Sequence, residues 1–466
     1  MRVLALKGGL CAARELIRGL NPVKKYESVD SATLEHMFEV GWNIDPDATE
    51  AALVDQLAAM TRATAGIAAA QARVTAMLEA KRLARKAAEG VPAARRAQGL
   101  ASEVGLARKS SPWHGAKYLK MSRILVDDMP YTLAALQSGV LTEDRAMIIA
   151  DQAACLSPAD RHAMDAELCA DPDVLDGLGD RKVEAEAGRV AFRLDHDAVM
   201  ARISRHQCDR TVTLRPAPHG MAYVTALLTS VEGVTAYQAL QAEAAAAAAA
   251  SIAAGGGCQG RGPLMADAFY RRVTGREVEA AVPVALNLVV SDESLLAQGS
   301  EPAVLQGYGP IPAEVARQMA LAALLDPQAE AAVRKLYADP ATGNLVAMES
   351  TARAFPKGLR WLIALRDQKC RTPYCDAPIR HIDHITRHAD GGATTSVNGQ
   401  GLCERCNYAK ESPGWQTATT YDGYGRHTTE LTTPTGRTYR STAPPLPTGA
   451  RVFTSDIHVV RIHAAA

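Results

Sequence analysis

The chain has 466 residues, 47% of them hydrophobic and 22% charged, and its 51 Lys and Arg balance 51 Asp and Glu. This length allows about two or three domains with a substantial core, and zero net charge argues against a protein that coats nucleic acid or membranes along its whole length. No stretch reaches the roughly 18 uninterrupted apolar residues of a membrane span, and the first apolar run ends at Lys7, too short for a signal peptide. We therefore expect a cytoplasmic protein without a membrane partner.

The first long helical pattern begins near residue 47, after a segment, residues 1–45, that shows no clear period. In the stretch DATE, Asp47 is predicted to cap a helix, with Glu50 completing a capping box. Alanine-rich sequence then continues to about Glu89 and ends at Gly-Val-Pro. A later helix start has Ser157 as its cap and Pro158 at its first position. We expect residues 47 to about 205 to form a helical assembly.

Residues 81–109 of this region carry eight basic and two acidic side chains. Such a segment is either a DNA-facing helix or a solvated helix face, and we favour the solvated face.

A mixed α and β region is predicted from about residue 209. TVTLRPAPHGMAYVTALL has the pattern of a hairpin with its turn at residues 216–220, and VPVALNLVV, residues 282–290, that of a buried strand. Between them, the alanine run 244–250 and the glycine run 255–257 indicate a frayed helix end and a linker. LYADPATGNLVAM, residues 336–348, is predicted to be a second hairpin, and FPKGLRWLIALRDQ a short helix before Cys370.

The C-terminal region is locally basic. From Phe355 to Arg451 there are 13 Lys and Arg against 8 Asp and Glu, an excess of +5. This excess fits a site that meets phosphates, and it fits an ordinary solvated surface about equally well.

Four of the nine cysteines lie close together in this region, as two pairs. Cys370 and Cys375 are separated by four residues, and Cys403 and Cys406 by two. Each pair can present two thiolates on one side of a tight turn, as a tetrahedral Zn²⁺ site requires. We expect a structural zinc, with free core cysteines and, less so in a cytoplasmic protein, disulfides as the alternatives.

The sequence between the pairs suggests a strand, a loop, a strand and a helix. Asp383 and His384 are adjacent on the first strand, and Asn407 lies in the first turn of the helix. Carboxylate and carboxamide oxygens suit Mg²⁺ or Mn²⁺ and are poor ligands for a closed zinc site. The cluster therefore predicts two metals, a structural one on thiolates and a catalytic one on oxygens.

These residues resemble the HNH endonuclease family, whose fold is the ββα-metal finger. The resemblance covers about residues 370–410 and rests on Asp383-His384, the glycine pair 391–392, Asn398, and the CxxCN motif that ends at Asn407. It implies that His384 is the general base, that Asp383 and Asn407 bind the catalytic ion, and that Asn398 braces the loop that orients His384. Asparagine at position 407 replaces the third family letter, histidine, and bears on which metal is preferred.

Other polar residues of the finger have weaker interpretations. His381 shares a strand face with Asp383 and is either a partner behind the site or a structural histidine, and His388 is interpreted as a loop residue. Arg380, Arg387 and Lys410 are candidate phosphate contacts, with ordinary surface charge as the equal alternative.

The preceding region resembles a long actinobacterial domain of unknown function that often precedes an HNH finger. The resemblance rests on LTEDRAMIIADQAACLSPADR, TVTLRPAPHGM, GYGPIP and LYADPATGNLVAM. The expected organisation is an unassigned segment 1–45, a mainly helical domain 46–345 with a hairpin and strand near 209–295, an HNH domain 346–445 and a tail 446–466. The fold class is α+β, mainly helical, with a zinc-stapled ββα-metal finger.

The leading hypothesis is therefore a metal-dependent endonuclease that cuts DNA. The chain has no Walker loop, dinucleotide fingerprint or serine elbow. A zinc finger that binds DNA without cutting it is one alternative. A scaffold that forms homo-oligomers or binds partners through the helical domain is another.

Overall fold

The computed structural model describes residues 44–253, 260–275, 288–325, 349–350 and 354–445. These residues divide into two units. The first runs to His206 and includes Tyr408–Pro413, and the second comprises Gln207–Asn407 and the residues from Gly414 onward. The division at His206 falls inside the predicted domain 46–345, and the predicted domain boundaries remain predictions. The mainly helical α+β class is confirmed.

Eight α-helices form the described part of the first unit. They are α1 (Glu50–Ala88), α2 (Leu100–Ala107), α3 (Pro112–Asp128), α4 (Pro130–Ser138), α5 (Glu143–Ala153), α6 (Pro158–Cys169), α7 (Asp180–Leu194) and α8 (His196–His206). The predicted helical assembly from residue 47 to about 205 is therefore confirmed. No helix among the described residues is both long enough and apolar enough to cross a membrane.

Local capping explains where several of these helices begin. Ser157 Oγ accepts the Asp160 N–H at 3.2 Å and Pro158 is the first residue of α6, as predicted. The predicted cap at Asp47 is wrong by two residues. Thr49 caps α1, with its Oγ1 accepting the Ala52 N–H at 3.2 Å, because α1 begins only at Glu50.

The core of the first unit is a continuous apolar cluster contributed by α1 and α3–α7. Its fully buried large side chains include Ile124, Leu136, Ile149, Met164 and Leu168. Burying such a side chain stabilises the fold by roughly 1.5–3 kcal/mol.

A buried carboxylate lies beside this core. The fully buried carboxylate of Asp165 on α6 accepts the Tyr131 and Thr132 N–H groups, each at 2.7 Å, and so caps α4 from a neighbouring helix. Burial raises the pKa of Asp165, and the hydrogen bonds from Thr132 and Tyr131 oppose that rise.

The second unit begins with the predicted hairpin, which is confirmed. Strands β1 (Thr211–Pro216) and β2 (Ala222–Leu227) pair antiparallel around a turn at Pro218–Gly220. The next described elements are α9 (Ser230–Ala253), α10 (Arg261–Thr274), β3 (Leu288–Val289), α11 (Asp292–Leu296), β4 (Ala303–Leu305), β5 (Gly309–Ile311) and α12 (Ala313–Leu325). Strand β3 is the described end of the predicted strand 282–290, whose first six residues, like the glycine run 255–257 and the predicted hairpin 336–348, lie outside the described residues.

The C-terminal part of the chain, which belongs to the second unit except for Tyr408–Pro413, carries the four paired cysteines. Its elements are β6 (Glu349–Ser350), α13 (Lys357–Asp367), β7 (His381–His384), β8 (Thr394–Thr395), β9 (Gly399–Leu402), α14 (Glu404–Lys410), β10 (Gln416–Tyr421), β11 (His427–Thr432) and β12 (Thr438–Thr442). Helix α13 and the order strand, loop, strand, helix of β7, β9 and α14 are confirmed.

Strands β10, β11 and β12 form an antiparallel meander that was not predicted from the sequence. Its signals were the threonine-rich stretches and the turns with glycines of positive φ at Gly425 (74°) and Gly436 (78°).

Candidate metal and active site

The four paired cysteines meet at one point. Their sulfur atoms all lie within 4.8 Å of one another, and Cys375 Sγ is 3.8 Å from Cys403 Sγ. In a tetrahedral thiolate site with metal–sulfur bonds of about 2.3 Å, the sulfurs lie about 3.8 Å apart. The cluster could therefore hold a structural metal.

Short turns bring these sulfurs together. Cys370 N donates to Ala377 O at 3.0 Å, which closes the first turn, and Cys375 follows Tyr374, whose φ is 63°. In the second turn, the Cys406 N–H points at Cys403 Sγ at 3.4 Å. A backbone N–H aimed at sulfur favours the thiolate form that binds metal.

The thiols strongly perturb one another. Hydrogen bonds, that with Cys370 first, lower the pKa of Cys403, and corresponding bonds raise the pKa values of Cys375 and Cys406. Four sulfurs this close cannot all ionise unaided, because each thiolate repels the next. A bound cation removes that conflict, and the donor set therefore fits a metal.

Strands β7 and β9 position the predicted catalytic pair. They pair antiparallel, with Asp383 opposite Gln400 and His384 opposite Gly399. Asp383 is half-buried while His384 is only 7% exposed, so the two neighbours face different environments, as strand alternation requires.

The His384 ring is fixed from two sides. Its Nε2 lies 2.9 Å from Thr394 Oγ1, and the ring centroid lies 4.5 Å from that of Phe355. A ring held by both a hydrogen bond and an aromatic contact has a defined orientation, which a positioned proton acceptor needs.

The loop between β7 and β9 is closed by Asn398. Its Oδ1 accepts the Thr386 N–H at 2.8 Å, and its Nδ2 donates to Thr386 O at 3.0 Å and to Ala393 O at 2.8 Å. Three of the four hydrogen-bonding sites of the carboxamide are thus used on the loop that follows His384. This geometry is what a bracing asparagine requires.

Each glycine of the pair 391–392 is favoured for a different structural reason. Gly391 has φ of 86°, a conformation that favours glycine. At Gly392, a Cβ would lie 1.9 Å from Thr386 O and 2.7 Å from Asn398 Nδ2. A side chain there would displace the brace.

Asn407 lies on α14, one residue after Cys406. Its Oδ1 is buried without a hydrogen-bond partner in the described structure. A buried carboxamide oxygen left unpaired costs about 1–3 kcal/mol, and a cation ligated by that oxygen would remove the cost. Such an oxygen suits a hard divalent ion, and the joint role of Asp383 and Asn407 remains a prediction.

An ionic network that was not predicted from the sequence connects the end of α13 to β9. Asp367 has a fully buried carboxylate that accepts from Arg366 Nε at 2.7 Å and from the Gly401 N–H at 2.7 Å. Arg366 also donates to Ser396 O at 2.5 Å and Gly399 O at 2.7 Å. The end of α13 is thereby tied to both sides of Asn398.

Arg371 extends this network to the C-terminal meander. Its Nε lies 3.8 Å from Asp367 Oδ1, and its Nη2 donates to His427 O at 3.2 Å and to Ser441 O. Burial lowers the pKa of Arg371 to about 10, with Asp367 opposing the shift. The signal for this network was the charged run RDQKCR directly after an apolar helix, because charges at such a place must be paired when buried.

His427 is a second buried group that the sequence did not reveal. Its Nε2 lies 2.8 Å from Val397 O, and the residue lines a cavity of about 90 Å³ with Leu362, Ile363 and Arg366 among its walls. Burial, followed by the positive charge of Arg366, lowers the pKa of His427 to about 4. The ring is therefore neutral at pH 7, with Nε2 as the donor to Val397 O.

The weaker candidates lie in different settings. Arg380 and Arg387 are exposed, whereas Lys410 is 6% exposed and its Nζ lies 3.1 Å from Glu411. The exposed arginines suit a phosphate contact better than the buried lysine does, and all three roles remain predictions. His381 is half-buried, and the exposed His388 has its ring centroid 5.6 Å from that of His384.

Comparison with known proteins gives one match. A family model described as HNH endonuclease matches residues 370–412, from the first cysteine to the end of the finger. No curated protein and no solved structure matches the chain. The predicted family of the finger is thereby confirmed, and the resemblance of the region before residue 370 stays a prediction.

Proposed function

We propose that this protein is a metal-dependent endonuclease that hydrolyses phosphodiester bonds of DNA at the HNH finger. The main support for the proposal is that Asp383, His384 and Asn407 lie in the same finger as the four clustered cysteines. A finger that only binds DNA needs the cysteines and not these three side chains. The proposal therefore ranks above the non-cleaving alternative.

Zinc is the metal that we assign to the four cysteines. Zn²⁺ favours four thiolates in tetrahedral geometry and has no redox chemistry, which suits a purely structural role. This part of the chain buries few large apolar side chains, so metal binding would supply much of its folding free energy.

His384 is proposed as the general base. Its ring is oriented by Thr394 and Phe355, and Asn398 holds the loop that follows. A neutral imidazole can accept the proton of the attacking water at pH 7, whereas an imidazolium cannot.

Asp383 and Asn407 are proposed to hold Mg²⁺ or Mn²⁺ through oxygen atoms. When bound, this ion supplies positive charge that stabilises the scissile phosphate and the leaving 3′ oxygen. Asp383 contributes a half-buried carboxylate. Asn407 contributes an oxygen without a hydrogen bond in the described structure, so that binding an ion would break none.

The test is single-turnover plasmid cleavage by the full chain with Mg²⁺ or Mn²⁺, with EDTA as the blank. His384→Ala should retain DNA binding and bound zinc while its cleavage rate falls on the order of 10²–10⁴-fold. The wild-type rate should also fall on the acid side of neutrality, as the base becomes protonated.

His196→Ala serves as the matched control, because His196 is an exposed imidazole on α8 in the first unit, and it should cut at the wild-type rate. A His384→Ala protein that cuts as fast as wild type would remove this residue from the chemistry. A wild-type protein that binds DNA and never cuts it would favour the DNA-binding alternative.

A further inference from the structure

The meander β10–β12 lies beyond residue 412, where the match to the HNH family model ends, yet it contacts the loop between β7 and β9. Thr417 Oγ1 donates to Ile385 O, and Thr419 Oγ1 donates to Val397 O at 3.2 Å. The two threonines are two residues apart on β10, so they point to the same side of the strand. They reach the two ends of residues 385–398, which we call the 385–398 segment.

A third contact with this segment comes from β11. His427 is 3% exposed, and its Nε2 donates to Val397 O at 2.8 Å. Val397 O thus accepts from two side chains of the meander, which uses both lone pairs of the carbonyl oxygen. Ser396 O, one residue earlier, accepts from Arg366 Nη1 at 2.5 Å. The backbone just before the bracing Asn398 is therefore fixed by side chains from outside the segment.

The other end of the segment is fixed next to the proposed base. The Ile385 N–H donates to Asn398 O at 2.7 Å, and Ile385 O accepts from Thr417 Oγ1. The peptide groups on both sides of Ile385 are thus hydrogen-bonded, and neither can rotate without breaking a bond. One of these peptide groups carries the carbonyl of His384, so the bonds fix the backbone from which the His384 ring projects.

The meander is itself anchored on its other side. Arg371 Nη2 donates to His427 O at 3.2 Å and to Ser441 O, and Arg371 directly follows Cys370. The Ala443 N–H also donates to His427 O, at 2.8 Å. The meander is therefore joined to the chain beside the cysteine cluster as well as to the 385–398 segment.

Other hydroxyl groups of the meander serve the meander itself. Thr432 Oγ1 on β11 lies 3.1 Å from Thr438 Oγ1 on β12, a bond between neighbouring strands. The hydroxyl groups of Thr417 and Thr419 instead donate to carbonyls of the 385–398 segment. Threonines of the same sheet thus differ in whether their hydrogen bonds reach the loop that follows His384.

We propose that Thr417, Thr419 and His427 are positioning residues of the nuclease. They hold the 385–398 segment from the meander and so fix the His384 ring relative to the water that it would deprotonate. A catalytic group displaced by about 1 Å can lose on the order of 100-fold in rate, so hydrogen bonds to its supporting backbone affect catalysis. The inference rests on the proposed function and extends the functional unit beyond the family-matched residues.

The experiment is single-turnover plasmid cleavage by the full chain with Mg²⁺ or Mn²⁺, over a series of protein concentrations. This series separates the maximal rate from the protein concentration that gives half of it. Thr417→Val/Thr419→Val keeps the shape of both side chains and removes both donors. It should lower the maximal rate on the order of tenfold and leave the half-maximal concentration unchanged, because no group that contacts DNA is altered.

The matched variants separate positioning from folding. Thr417→Ser/Thr419→Ser keeps both hydroxyl groups and should cut at close to the wild-type rate. Thr432→Val, which removes a hydroxyl that bonds only within the meander, should also cut at that rate. A valine variant as fast as wild type, or a serine variant as slow as the valine variant, would overturn the role of the threonines.

His427 provides an independent test if the valine variant loses its bound zinc. His427→Gln has an amide that can donate to Val397 O, whereas His427→Leu has no donor. The glutamine variant should therefore cut faster than the leucine variant at the same bound zinc. Equal rates in the two variants would exclude a positioning role for His427.

Amide hydrogen exchange distinguishes failure of this inference from failure of the proposed function. Exchange within the 385–398 segment, followed by mass spectrometry, should be faster in the valine variant and unchanged in the serine variant. A wild type that cuts nothing with either ion would refute the nuclease, and faster exchange in the valine variant would still support the hold of the meander on the segment. Unchanged exchange in that variant would show that the meander does not hold the segment, whether or not the wild type cuts.

Discussion

The helical first unit and the C-terminal finger are each stabilised by a different kind of interaction. The first unit packs one large cluster of apolar side chains from six helices. The largest apolar cluster among the described residues of the finger is much smaller, with Phe355, Leu359, Leu362 and Ile363, and lies beside its four cysteines. The interior of the finger also contains the ionic network of Arg366, Asp367 and Arg371.

The difference follows from how much apolar surface each region can bury. A long run of amphipathic helices gains stability with every buried side chain, whereas a short segment of two strands and one helix cannot offset its conformational entropy in the same way. A bound metal and buried charge pairs can offset that loss of entropy, provided that every partner is present. The finger should therefore fail through loss of single polar or metal-binding atoms, and the helical unit through loss of volume.

Removing one thiolate should have the largest effect. Cys403→Ser or Cys370→Ser takes a ligand from a site whose binding free energy, on the order of 10 kcal/mol for structural zinc, is also folding free energy. We expect loss of the metal and unfolding of the finger, measured by metal analysis of the purified protein. Cys208→Ser, at an exposed cysteine, is the control, and one zinc per chain in all three variants would refute the cysteine site.

Breaking the buried ionic network should come next. Asp367→Asn keeps the shape of the side chain but leaves Arg366 and Arg371 without their common counter-charge, at a cost of about 3–5 kcal/mol. The measurement is the urea midpoint of metal release. Glu430→Gln, which breaks the exposed pair with Arg440, should change that midpoint little, and equal effects of the two changes would show that the network does not hold the finger.

A loss of volume tests the first unit. Ile149→Ala removes a fully buried side chain and should lower the free energy of unfolding by about 2–5 kcal/mol, followed through the helical circular dichroism signal. Ile203→Ala, at a side chain 49% exposed on α8, should lower it by much less. Similar losses from the two changes would contradict the view that this unit depends on its core.

The smallest expected effect is a pH dependence that belongs to the finger. The pKa of His427 is lowered to about 4 in the folded protein, by burial first and by Arg366 next, while the unfolded ring has a pKa of about 6.5. The unfolded state thus binds more protons between these values. Stability from the neutral ring is complete above about pH 6.5 and is lost as pH falls toward 4, by at most about 3 kcal/mol.

His427→Gln isolates this contribution, because the cysteines titrate in both proteins. The difference in unfolding free energy between wild type and variant should shrink between pH 7 and pH 4.5. A constant difference over that range would show that the His427 ring does not resist protonation.

Much of this molecule could be predicted from local sequence, because the signals act over a few residues. Pro158 after Ser157 predicts a helix start, the turn around Gly220 predicts a hairpin, and two cysteine pairs with short spacings predict a cluster that could hold a metal. Helix caps are less certain at the level of single residues. Asp47 and Thr49 are both good caps, and the choice depends on where the first turn packs.

The sequence alone determined that the chain is mainly helical, that a hairpin follows residue 209, and that residues 370–410 form a cysteine-stapled finger. Tertiary structure alone decided which partners surround each polar side chain: Thr394 beside His384, the Gly401 N–H beside Asp367, Val397 against His427. The reason is physical. Helix, turn and metal-ligand patterns depend on neighbours in sequence, whereas burial and the pairing of charges depend on residues 10 to 70 positions apart that only the folded chain brings within hydrogen-bond distance.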